Sequence, residues 1–118
     1  MFIIFASYFF SKDQNSMKVA IVIKDKERML IGDCLSDAQV FYIYNAKGRL
    51  LDLVPPPQCL RHLRAETYAA FLGDHLVKKV AAKDFGPKAK ASLVSKSIEW
   101  FQIGEAKSIT DMIEIMLK

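Results

Sequence analysis

Cys34, Cys59 and His62 are the side chains of this sequence best suited to hold a metal. Cys59-Leu60-Arg61-His62 has the two-residue gap that lets two donors from one turn meet one ion. Thiolate and imidazole are soft to borderline donors, suited to iron, zinc or an iron–sulfur cluster. Arg61 and Arg64 would favour the thiolate and balance an anionic cluster. Two cysteines and one histidine cannot fill a closed four-ligand site, so any such site is open or shared. The plainer alternative is that Cys34 and Cys59 are small apolar residues and His62 a polar helix-start residue. His75 reads as the end of a helix, where the dipole favours a cation.

A second chemistry is anion binding. Gly86-Pro87 reads as a helix N-terminus just after a strand, where free amides attract negative charge, and Lys83, Lys88 and Lys90 reinforce it. Gly-Pro is equally an ordinary helix opening, because proline at the first position loses a donor that has no partner there. No GxGxxG or Walker-type run is present, which argues against a nucleotide. The lysines at 78, 79, 83, 88, 90 and 96, opposed only by Asp84, give that stretch +5, and the rest of the chain sums to −1. Any pull on an anion is therefore local.

Catalysis has little support. Asp25, Asp33 and Asp52 could serve a two-metal nuclease, but Asp in turns is common for backbone reasons. Trp100, Tyr42 and Tyr44 could stack bases, though strand aromatics more often pack in a core or interface. The expectation is a protein that is not an enzyme and has no nucleic-acid partner.

These residues need a scaffold. The chain has 118 residues, 52% hydrophobic, with 17 basic and 13 acidic side chains for a net charge of +4. That is one domain's length, with too many aliphatics for disorder and too few cysteines for a disulfide scaffold. A cytoplasmic setting is expected.

Residues 19–23 are continuously apolar and β-branched, a strand buried on both faces. Residues 29–31 read as a short extended piece before the loop 32–37. Residues 39–44 and 49–54 pair through Asn45-Ala46-Lys47-Gly48, and Pro55-Pro56-Pro57 ends the sheet path. A helix over 62–75 follows, with Leu60, Leu63, Thr67 and Phe71 on one row and Tyr68, Leu72 and Leu76 on the next. Then come a strand (77–82), a helix from Pro87 to about 96, a strand (98–101) and a final helix capped by Ser108. The order implies an α/β mixed sheet of about five strands covered by helices, with 19–23 central.

Residues 1–10, MFIIFASYFF, are too short to span a membrane, and residues 11–16, SKDQNS, read as a polar linker. We read 1–16 as an N-terminal extension and 17–118 as the domain. The apolar segment would want cover from its own sheet or from a second subunit, which makes a homodimer through residues 1–10 one expectation.

The opening MKVAIVI, the stretch Cys34-Leu35-Ser36-Asp37-Ala38-Gln39-Val40-Phe41, the helix led by His62 and Phe85-Gly86-Pro87-Lys88-Ala89 together resemble the dinitrogenase iron–molybdenum cofactor biosynthesis family over residues 17–118. The resemblance implies a ribonuclease H-like α/β fold. It also implies a domain that binds iron–sulfur or iron–molybdenum cluster precursors and passes them to cluster-handling proteins without catalysis. In that fold the loop bearing Cys34 lies near the start of the first helix. With that layout the donors read above, Cys34, Cys59 and His62, are expected as the metal ligands of an open or shared site, and Gly86, Lys83 and Lys88 as the anion site. Where the family has His-Phe-Gly this chain has Cys34-Leu35-Ser36; its His-Gly pair is His62-Leu63, and its strand-ending Gly is Lys83. An interaction module that kept the fold without the cluster is the alternative.

Overall fold

The structure is a computed structural model that describes residues 17–104 and 108–117. Residues 1–16, read above as an extension, lie outside the described residues, and so does the expected strand or dimer arm.

The unbroken apolar run becomes β1 (Lys18–Asp25), whose residues 19 to 23 are fully buried. A two-residue strand, β2 (Leu30–Ile31), pairs with its end. β3 (Val40–Asn45) runs antiparallel to β1, and β4 (Leu50–Val54) returns beside β3. The hairpin turn is built as its residues require: Gly48 takes φ 81°, and Asn45 Oδ1 accepts from the amides of Lys47 and Arg49. On the other side of β1, β5 (Val77–Ala82) and β6 (Glu99–Gln102) are both parallel to their neighbours. The path β4-β3-β1-β5-β6, with β2 on β1, places β1 at the centre of a mixed sheet, the expected class with one short strand added.

Alternation divides the core into two layers. Ala20, Val22, Phe41, Ile43, Val80 and Ala82 face α1 (Arg64–Asp74) and α2 (Pro87–Ser95), which bury Tyr68, Ala69, Leu72, Ala89 and Leu93. Val19, Ile21, Ile23, Val40, Tyr42 and Tyr44 face α3 (Ile109–Leu117), through Met112 and Met116. Ser108 caps α3, its Oγ accepting from the Asp111 amide at 3.1 Å.

The first helix differs from its expected extent. Residues 61–63 form a 3-10 turn, and the α-helix begins only at Arg64. The buried stripe is Tyr68, Ala69 and Leu72, whereas Leu60 and Leu76 at the ends of the expected rows are exposed. Leu76 has φ 62°, the left-handed conformation that follows a helix C-terminus, which turns it off the helical row.

Candidate functional site

Three segments meet beyond the C-terminal ends of the parallel strands β1 and β5, the position where open α/β sheets bind ligands. The first is the loop after β2. It is stitched to both strands: the Gly32 amide donates to Val22 O (2.8 Å), Lys83 N to Gly32 O (3.0 Å) and Asp84 N to Asp33 O (3.0 Å). Its 3-10 turn, Leu35–Asp37, drops Leu35 fully into the core and leaves Cys34 and Ser36 half-buried on the outside. The second segment is the 3-10 turn Arg61–Leu63, and the third is the start of α2 at Gly86.

Together they enclose a cavity of about 250 Å³ lined by Cys34, Leu35, Ser36, Arg61, His62, Ala65, Gly86, Lys88 and Ala89. Cys34 Sγ lies 3.2 Å from Ser36 Oγ. Arg64 donates to Ser36 O at 3.5 Å, and Lys88 Nζ donates to His62 O at 2.9 Å, so each wall is tied to its neighbour. Lys88 also faces Glu66 at 3.7 Å. Gly86 has no capping side chain and Pro87 no N–H. The amides of Lys88 and Ala89, in the first turn, therefore have no helical acceptor and present the positive end of the dipole.

Cys34, His62, Gly86 and Lys88 thus share one cavity, and Cys59 and Lys83 do not line it. The three-donor set Cys34, Cys59 and His62 is corrected: these residues form no group able to hold a metal together, and no such group of three occurs among the described residues. The two-residue gap is an intraturn spacing only if residues 59–62 are helical. Leu60 is extended (ψ 142°) and the turn begins after it, so Cys59 packs instead against the core below α1. There it neighbours Tyr68, whose phenol burial pushes up, with Arg64 opposing and Cys59 adding to the rise.

Lys83, expected in the anion site, stands outside this cavity. Its ammonium turns to Asp33 at 3.8 Å, and Lys24 approaches the same carboxylate at 3.0 Å. The Lys24 hydrogen bond, then its charge, holds Asp33 below the ordinary aspartate range and Lys24 above the ordinary lysine value. An NMR titration should find Asp33 titrating low, and Lys24→Met should return it upward. Because the native value is depressed, the bridge contributes fully above the ordinary aspartate range. That contribution is lost as pH falls through that range to the native value.

The other candidates have structural work. Asp25 Oδ1 accepts from the amides of Glu27 and Arg28, and Asp52 Oδ1 from Leu53 N. His75 Nδ1 lies 2.9 Å from Phe71 O at the end of α1. Trp100 packs on Phe85 under Lys90 Nζ, 4.6 Å from the ring centroid, and Tyr42 and Tyr44 are buried. Sequence reasoning did not single out Ser36 as a site residue, although its place beside Cys34 in a polar loop was a usable signal.

Two wider depressions suit an anionic iron–sulfur cluster less well. The one of about 510 Å³ between Pro57 and α1 presents Glu66 and Asp74 and no basic group. The other, about 380 Å³ at the hairpin tip, has no sulfur or imidazole. No helix among the described residues is long and apolar enough to cross a membrane.

Comparison with known proteins bears on the fold and the family. No curated protein matches the chain significantly. A solved structure described as the crystal structure of PH0822 has the same fold, with a TM-score of 0.62 at 19% identity, over 86% of this chain and 90% of that one. The family model described as dinitrogenase iron–molybdenum cofactor matches residues 17–118. The chain belongs to the dinitrogenase iron–molybdenum cofactor family.

Proposed function

We propose that this protein is a non-enzymatic carrier that takes an anionic iron–sulfur or iron–molybdenum cluster precursor into the Cys34–His62–Gly86 cavity and passes it to a cluster-handling protein. The observation that carries this reading is the convergence of a thiol, an imidazole, two cationic side chains and a helix N-terminus on one cavity. Thiolate and imidazole bind iron, and Arg61, Lys88 and the α2 amides offset negative charge. Two donors leave most of the cargo's coordination to other ligands, which favours hand-over above storage. His62, Arg61 and Lys88 are exposed, so a partner can reach the cargo. Both cysteines are free thiols, in keeping with a reducing cytoplasm.

Anaerobic reconstitution of the full chain with iron and sulfide, read by absorbance and metal analysis, tests the proposal. The wild-type chain should retain iron, and Cys34→Ala or His62→Ala should lose most of it while thermal unfolding changes little. Cys59→Ala should retain iron. A wild-type chain that binds no iron, or one whose binding survives both cavity substitutions, refutes this assignment and leaves the interaction-module reading.

A further inference from the structure

The two faces of the sheet are unequally covered. α1, α2 and both 3-10 turns lie over one face, and among the described residues only α3 lies over the other. On that second face the register sets Leu53 opposite Tyr42 and Leu50 opposite Tyr44, so both leucines project to the α3 side. The tyrosines are buried, yet Leu53 is 37% and Leu50 46% exposed. Met29 extends the strip: the Tyr42 hydroxyl donates to its Sδ at 3.0 Å, and it is 46% exposed. Met29, Leu53 and Leu50 therefore form an apolar band along the open side of α3's face.

The chain carries an occupant of matching chemistry. Residues 2–10, FIIFASYFF, hold seven large apolar side chains and no charge, and they lie outside the described residues. Where the described chain starts decides what they can reach. Lys18 pairs with Asn45, at the same end of the sheet where Tyr44 pairs with Leu50. From β1 to β4 is two strand intervals, about 10 Å. The six linker residues 11–16 can span up to about 20 Å, and nine extended residues cover about 30 Å, more than the length of β4. A tethered segment also acts at a local concentration of roughly millimolar, an advantage that a second copy or a free partner lacks.

The edge of β4 limits the mode of contact. Leu53 N–H is engaged by Asp52 Oδ1 at 2.8 Å, and Pro55 has no N–H. A seventh strand would find few donors there, so cover must come through side chains. We propose that residues 2–10 fold back on their own chain and pack against Met29, Leu50 and Leu53, covering the open part of the α3 face without extending the sheet.

Brief chymotrypsin digestion of the full chain, read by mass spectrometry with light scattering in parallel, tests this. In a wild-type monomer, cleavage within residues 2–10 should be slow. Leu50→Lys with Leu53→Lys should speed it roughly ten-fold or more, because proteolysis follows the population of the open form. Val94→Lys, an exposed change on α2, should not. Should the leucine pair unfold, Ile4→Lys with Phe9→Lys alters only the segment and must produce the same acceleration. Equal cleavage in wild type and variants overturns the proposal. So does a wild-type dimer that these substitutions dissociate, which would make a second copy the occupant.

Discussion

Leu35→Ala should lower stability by about 3 kcal/mol and the melting temperature by roughly 10 °C. Leu35 is fully buried beneath the turn that presents Cys34 and Ser36, in the layer that contains Val22, Phe41 and Ala89. Truncation removes apolar contact and leaves a void that the stitched loop cannot close, since Gly32, Asp33 and Gln39 hold it to β1 and to the β5–α2 connection. The same side chain fixes the position of the candidate thiol. Iron retention by the folded variant at low temperature should therefore fall as well. Thermal unfolding followed by circular dichroism checks the first effect and metal analysis the second. A loss below about 1 kcal/mol would show the turn to be held by its hydrogen bonds rather than by its anchor.

The second large effect is expected at Gly32. Its backbone lies so close to β1 that an added Cβ would sit 2.5 Å from Val22 Cγ1, while its amide bonds Val22 O at 2.8 Å. Val22 is fully buried and has little room to move. Gly32→Ala should cost about 1–3 kcal/mol through overpacking. Val22→Ala removes the clashing methyl, so in the double variant the two losses should not add: the coupling should recover on the order of 1 kcal/mol. Strict additivity in denaturant unfolding would show that the loop shifts away from β1 instead.

Both effects centre on a loop that local sequence describes poorly. Residues 32–37 contain Gly, Asp and Ser and read only as a turn-rich connection. Burial of Leu35, approach of Gly32 to Val22 and the salt link from Asp33 to Lys24 and Lys83 are tertiary facts. The strands were more legible. Residues 19–23 carry their burial in an unbroken β-branched run, and Asn45 and Gly48 carry the hairpin in their tolerance of unusual backbone geometry. The helix after the three prolines was legible in kind but not in phase. A row drawn from Leu60 assumed helical geometry for residues that are extended, and the same assumption joined Cys59 to His62.

The order of elements, the central place of β1, the parallel second half and the family could all be read along the chain. These follow from periodicity, turn chemistry and motif order along the chain. Which chemical groups share a site depends instead on how the folded elements pack. Cys34 and His62 are separated along the chain and meet because β1 and β5 are adjacent and parallel. That adjacency brings the loop after β2, the turn before α1 and the start of α2 to one end of the sheet. Cys59 and His62 are near neighbours in sequence, and Lys83 lies close to Gly86. One extended residue and one buttressing aspartate part them from the cavity, because backbone direction and competing partners, rather than sequence spacing, decide where a side chain points.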